Sequence, residues 1–389
     1  MRWPDAPRPL AAAQSRAEAN PLRDERVAAW LGIALGVLFT TCFLTGLYSH
    51  VQQHPLSWLP IPARPAGLYR ITQGVHVVSG VASLPLLIAK LWVVWPRLFA
   101  WPPFHTVTDM IERLGLLGLV GGGVFMVFTG VANIFQWYPW PFSFTAAHYE
   151  VAWITMGAIA AHIGAKGGIA RRSCRRTPAV VTAPVPSGGL TRRGFLTATA
   201  AASGLLTVTT VGETVPGLAP LALLAPRDPR QRPINRSAAN AGVTRTATSP
   251  GYRLIVTGDV AHPLSLSAAD LDDPTSFPRH DAILPISCVE GWSYSARWTG
   301  IRVRDLIAAA GAPPAAKLAA VHVESLEQHS PYRISSLDRD QIAASNTLLA
   351  THLQGERLTL DHGFPLRLIA PNRPGVLQTK WVTRLVVVR

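Results

Sequence analysis

The chain has 389 residues, room for two or three domains, and 48% of them are hydrophobic. That share suits a chain lying partly in a membrane better than a wholly soluble one. The formal charge of +14 could point to nucleic acid, but the basic residues form no single tract, so no nucleic-acid partner is expected.

Residues 1–26 are rich in Ala, Pro and charge and read as a cytoplasmic tail with no signal-peptide core. Four apolar runs follow, at about 27–49, 70–95, 111–135 and 145–166, each near the roughly 20 residues that a bilayer needs. Together they make an all-α transmembrane four-helix bundle over 27–168. Arg23, Arg26, Lys90, Arg97, Arg113 and Lys166 flank one side, while Arg64 and Arg70 are the few cations on the other. Both ends of the bundle are therefore expected in the cytoplasm. Trp137, Tyr138 and Trp140 follow the third run, as interface aromatics do. Gly32, Gly36, Gly118 and Gly122 stand where helices could approach closely.

Histidines carry the chemistry of this half. His76 lies two turns into the second helix, and His148 lies near the start of the fourth at the same membrane depth. His162 follows fourteen residues later, about 21 Å along the axis and within roughly 40° of the same face. An imidazole in hydrocarbon is costly and is either a hydrogen-bonded structural group or a ligand. Two of them opposed across a bundle can hold haem iron axially. His50 and His54 are spare candidates, and His105 lies in an inner loop.

Residues 20–170 resemble the four-helix cytochrome b subunits of respiratory formate dehydrogenases and nickel-iron hydrogenases. The resemblance implies that His76 and His148 hold an outer haem b. An inner haem in that family takes a ligand from the cytoplasmic half of the first helix. Residues 27–38 contain no histidine, so one haem is expected, and His162 would serve only a second. Quinone or quinol is the implied membrane partner.

Residues 169–190 read as a cytoplasmic linker. Thr191-Arg-Arg-Gly-Phe-Leu196 then opens an uncharged run to 212. It resembles a twin-arginine export signal placed mid-chain, which implies that the folded domain after it is carried outward. The plain alternative is a fifth, anchoring helix with a basic flank; both readings put the chain in the cytoplasmic membrane with its C-terminal domain outside. Residues 213–250 lack periodicity and read as a tether.

From 251 to 389 the pattern becomes that of a compact α+β domain, with strands expected at 252–257, 282–287, 319–323, 366–369 and 380–388 and helices at 267–271 and 303–310. Cys288 ends a hydrophobic strand before a Gly291 turn, and it is the domain's lone cysteine. With no disulfide partner there, it is either buried and inert or kept for chemistry such as soft-metal ligation. Arg297 follows it. Asp361-His362-Gly-Phe-Pro-Leu-Arg367 and Asn372-Arg373-Pro-Gly375, with Lys380-Trp381, present cations suited to an anion. These clusters, in this order, resemble the molybdopterin domain of the sulfite-oxidase superfamily. The resemblance implies Cys288 as the thiolate on molybdenum and His362, Arg367 and Lys380 as holders of the pterin and its phosphate. Asn372, Arg373 and Arg297 would line the same pocket, and Tyr332 would act near the metal. Val-Glu-Gly-Trp after Cys288 departs from the sulfite oxidases and is similar to the branch of periplasmic methionine-sulfoxide reductases. The expectation is a membrane-anchored oxidoreductase linking quinone to a small S-oxide or N-oxide substrate. A dehydrogenase feeding quinone, or a non-enzymatic electron conduit, are the alternatives.

Overall fold

The computed structural model describes residues 20–56, 58–99, 101, 106–175 and 190–389, together with Ala12 and Ser15. Most of the 1–26 tail, His105 and most of the 169–190 linker lie outside the described residues. The chain divides into two compact units, and Leu47–Gly74 belongs with the C-terminal one.

The first unit is built on five long helices: α1 (Glu25–Gln53), α2 (Leu68–Leu98), α3 (Val107–Ile134), α4 (Phe144–Arg175) and α5 (Arg192–Thr210). Glycine and small residues set the spacing of α3 and α4. Gly122 sits against Thr155, where a Cβ would overlap the hydroxyl, and Gly118 faces Ala158. Helix α5 joins α1 and α2 through Phe195 and Leu196, which pack on Val27, Leu31 and Val93, and Ser203 donates to the Ala82 carbonyl at 2.7 Å. Leu44, Ile88, Leu117 and Leu205 point outward and exposed, as lipid-facing side chains would.

Among the described residues, four helices are long and apolar enough to cross a membrane: Glu25–Gln53, Leu68–Leu98, Asp109–Ile134 and Arg192–Glu213. Helix α4 is not one of them, contrary to the expectation of four such helices before a fifth. It forms over 32 residues, but His148, Glu150, His162 and Lys166 among many Ala and Gly dilute its hydropathy.

The second unit holds two five-stranded sheets. The first runs β2 (Leu264–Ser267), β1 (Arg253–Gly258), β10 (Val382–Val388), β5 (Ala320–Ser325) and β6 (Ile334–Leu337). Strand β10, last in sequence, pairs parallel with β1 and antiparallel with β5, so the chain end fills the sheet's centre. The second sheet runs β3 (His280–Ser287), β4 (Ser293–Arg302), β7 (Leu348–Leu353) and β8 (Glu356–Arg357), with β9 (Arg367–Ile369) also on β7. Short helices run over Ala268–Asp272, Val303–Ala309 and Arg339–Ala343. Leu254, Val256, Ile301, Leu306, Val321, Val323, Leu368 and Leu385 form one core, and Leu284, Ile286, Trp292, Tyr294, Trp298 and Ile369 a second around Cys288.

Residues 227–250, expected as part of a tether, belong to the second unit. Ala238, Ala241, Val243 and Ala247 bury themselves with Trp381, and the Ala238 N–H donates to Asp361 Oδ1 at 2.8 Å. Irregular backbone can bury apolar groups without any periodicity, and this stretch does so.

Candidate functional site

Cys288 follows β3, and its N–H donates to the Trp292 carbonyl at 2.9 Å, closing a turn to β4. Gly291 takes φ +101 in that turn, a conformation that suits glycine. The thiol is buried at 1% exposure. Burial and the nearby Glu290 push its pKa well above the usual thiol range, so without a metal the group is a thiol. Among the described residues no three His, Cys, Asp or Glu side chains gather as a metal site. A metal held here would take one ligand from the protein and the rest from elsewhere, as fits a metal that arrives within an organic cofactor.

Two cations, Arg367 and Lys380, stand in the field of Cys288, with His362 beside them. Arg367 is buried; its Nη1 donates to the His362 carbonyl at 3.2 Å, its guanidinium lies 5.5 Å from the centre of the Trp298 ring, and its Nε has no partner. Burial lowers its pKa, and the groups opposing this are Tyr294 and Cys288 rather than any carboxylate. Lys380 donates to the carbonyls of Arg236 and Asp361, the latter at 3.1 Å. Burial first, then Arg367, brings its pKa down to about 7. Gly363 lets these two approach: at φ +110, a Cβ there would lie 3.1 Å from both Arg367 Cβ and Lys380 Cγ. His362 donates from Nε2 to the Arg232 carbonyl at 3.0 Å, so Nδ1 accepts from the Thr359 hydroxyl at 2.8 Å. Burial, then Arg367, Lys380 and Arg232, lower its pKa and keep it neutral. A buried cation with an orphaned donor, beside a lysine poised to lose its proton, is a site short of negative charge. A phosphate-bearing group fits it.

Tyr332, between β5 and β6, is half-buried, and its pKa is raised by burial and then by Cys288. Its hydroxyl donates to Gln53 Oε1 at 3.3 Å. Asn372 and Arg373 are engaged elsewhere. The Asn372 amide, at φ +50, accepts from the Tyr69 N–H at 2.9 Å and donates to the Pro62 carbonyl at 2.7 Å. Arg373 donates to the Ser336 carbonyl and to Gln341 Oε1, both at 2.7 Å, and burial lowers its pKa to about 10. The structure does not bring Arg297 to the cluster. It is exposed on the face of β4 opposite Tyr294, Ala296 and Trp298, because side chains alternate along a strand.

Sequence reasoning missed Tyr294 and Arg232. Tyr294 is buried within the field of Arg367, Arg232 and Cys288. Both line an open cleft of about 420 Å³ with Pro229, Arg230, Ser295, Gln354 and Glu356. The Trp292-Ser-Tyr294 alternation leading into β4 was a usable signal for Tyr294; nothing in the Pro-rich 213–250 stretch marked Arg232.

Residues 241–389 match the family described as oxidoreductase molybdopterin binding domain. The chain is 35% identical over 132 residues to the uncharacterized oxidoreductase YuiH of Bacillus subtilis (strain 168), covering 34% of this chain and 62% of that protein. It is 32% identical over 160 residues to mitochondrial sulfite oxidase of Mus musculus, covering 35% and 29%. The C-terminal part is a molybdopterin-binding oxidoreductase domain of the sulfite oxidase superfamily. The chain spans less than two thirds of the length of these relatives. The solved sulfane dehydrogenase SoxCD from Paracoccus pantotrophus overlaps 36% of this chain and 38% of its own at 25% identity, with a TM-score of only 0.32.

In the helical unit the rings of His76 and His148 lie 6.2 Å apart, centre to centre, at 67°. His76 donates from Nδ1 to the Cys42 carbonyl at 2.9 Å. His148 Nδ1 lies 2.8 Å from Thr129 Oγ1, whose own proton goes to the Phe125 carbonyl at 2.7 Å, so Thr129 accepts. Both imidazoles thus keep a bare Nε2, the tautomer a metal ligand needs. A Cβ on Gly46 would come to 3.1 Å from His76 Cε1, so glycine gives that ring its place. His162 lies on α4, fourteen residues beyond His148.

Proposed function

We propose that the protein is a membrane-anchored molybdopterin oxidoreductase that exchanges electrons between quinone and a small extracytoplasmic substrate through b-type haem. One observation carries this reading: the buried Cys288 thiol stands in the field of Arg367 and Lys380, and among the described residues no carboxylate is paired with Arg367. Cys288 would hold the metal, and Lys380, Arg367 and His362 the anionic end of the pterin. Tyr294 and Trp298 bury their rings beside the site, and Tyr332 offers the substrate a hydroxyl. When bound, molybdenum supplies two-electron chemistry at a substrate oxygen, and the protein supplies binding and orientation. His76 and His148, whose rings lie 6.2 Å apart, would hold one haem.

Reduction of an S-oxide or N-oxide is the favoured direction. Val289-Glu290-Gly291-Trp292 after the cysteine places no arginine beside it, and Arg297 faces away. Sulfite oxidation with electrons passed to quinone is the second reading, favoured by the names of the matching relatives. Export of the domain would depend on the Arg192-Arg193 pair; in the described structure Arg192 lies 2.7 Å from Asp24. The test is metal analysis of the purified chain with quinol-driven S-oxide reduction and sulfite-driven quinone reduction side by side. Bound molybdenum with the first activity supports the reading; molybdenum with sulfite-driven turnover alone reverses the direction; cofactor-replete protein without molybdenum ends it.

A further inference from the structure

Leu47–Gly74, the end of α1, its following loop and the start of α2, is part of the same compact unit as the molybdopterin domain. Asn372 pins it. Besides its bonds to Tyr69 and Pro62, the Asn372 N–H donates to the Ala66 carbonyl at 2.9 Å, and Gln52 Nε2 donates to Asn372 Oδ1 at 3.3 Å. Arg70 adds a bond to Ser295 Oγ at 2.8 Å. Tyr69, Gln52 and Ser49 are all buried, an unusual investment of polar groups for a connecting segment.

The segment also reaches the metal site. Gln53, the last residue of α1, accepts the Tyr332 hydroxyl, which has no other partner among the described residues. The Gln53 amide is itself held: Nε2 donates to the Ser49 carbonyl and to Ser49 Oγ, both at 3.2 Å, and Ser49 Oγ meets Tyr69 Oη at 3.0 Å. Tyr69 in turn lies in the field of Cys288 and Tyr332. A hydroxyl on a loop side chain would otherwise be free to rotate. Here a glutamine with both ends of its amide engaged sets its direction.

We propose that Gln53 is a positioning residue for Tyr332, so that a segment of the helical half completes the oxidoreductase site. The proposal rests on the reading of Cys288 as the metal thiolate. A purely structural role would tie the loop down but leave the phenol's direction unimportant, and Asn372 already does the tying.

The experiment places 3-fluorotyrosine at position 332 in the full-length chain and follows its fluorine resonance, with and without cofactor, in wild type, Gln53→Leu and Gln53→Glu. Gln53→Leu is expected to move the resonance and to lower kcat about fivefold to tenfold, the worth of one neutral hydrogen bond, with KM changed by less than about twofold. Gln53→Glu keeps an acceptor at the same reach and is expected to restore most of both. Ser49→Ala, which loosens the Gln53 amide, should shift the resonance in the same direction by less, and serves if Gln53→Leu does not fold. Molybdenum content should be the same throughout. An unmoved resonance in Gln53→Leu, a Glu variant that behaves like Leu, or a raised KM with unchanged kcat would overturn the proposal. Wild-type protein without molybdenum would remove the underlying reading instead, and the resonance would still decide whether Gln53 directs Tyr332.

Discussion

In the helical unit, the rings of His76 on α2 and His148 on α4 lie 6.2 Å apart, and each spends Nδ1 on a neighbour, which leaves Nε2 of both without a proton. In the molybdopterin domain, Cys288 stands in the field of Arg367 and Lys380, with a neutral His362 beside these two and positive charge left over. The first arrangement is satisfied without a cofactor apart from two lone pairs. The second is electrostatically unfinished. Emptying the two sites should therefore have different consequences: the helical site should tolerate vacancy, and the cationic one should lose stability and change its response to pH.

The largest effect that separates them is spectroscopic. His76→Ala or His148→Ala should abolish the b-type α band entirely while molybdenum content stays at the wild-type level, read on the same preparation. Both variants keeping the band would remove the ligand assignment, and loss of both cofactors together would show that the two sites are not independent.

Arg367→Met is expected to act in opposite senses on the two states. Cofactor retention through gel filtration should fall by about tenfold or more, since a charge-assisted contact to phosphate is lost. The empty domain should melt a few degrees higher, because a buried cation without a counter-ion is replaced by an apolar chain of similar length. Lower melting of the empty variant would mean that Arg367 is structural.

Lys380 gives a smaller, graded effect. In the empty domain its pKa falls from 10.5 to about 7, so the folded state binds its proton less tightly than the unfolded chain does. Stability of the empty domain should therefore rise as pH increases from about 7 towards 10.5. Binding an anion has the reverse sign: it needs the charged lysine, so above about pH 7 cofactor affinity should fall, by at most about tenfold per pH unit. Lys380→Arg, permanently charged, should flatten this dependence in a dialysis-retention series. The smallest effect belongs to Arg297→Ala, which should leave stability within about 0.5 kcal/mol and retention unchanged.

The sheet domain was partly legible in the chain. The expected strands at 252–257, 282–287 and 319–323 overlap β1, β3 and β5, because Val, Ile and Leu alternate there between clear turns. Strand β4 was hidden because its core face is aromatic and its outer face polar, with Arg297 and Thr299 breaking any apolar run. Cys288, His362, Arg367 and Lys380 were legible as types in order, and the fold brings them together. Asn372 and Arg373 looked identical to them in sequence, as polar residues at a Pro-Gly turn. Only the fold reveals that Asn372 serves the Leu47–Gly74 segment and Arg373 the Gln341 helix. The role of 47–74 could not be read at all, since its partners lie about 300 residues away and share no pattern with it.

The central claim is that Cys288 carries the metal and the surrounding cations carry the pterin. A paired assay of Cys288→Ser measures bound molybdopterin and quinol-driven S-oxide reduction on one preparation. The account predicts pterin retained within about twofold, because the phosphate contacts remain, and turnover lowered by at least about a hundredfold. Wild-type turnover in Cys288→Ser would contradict it.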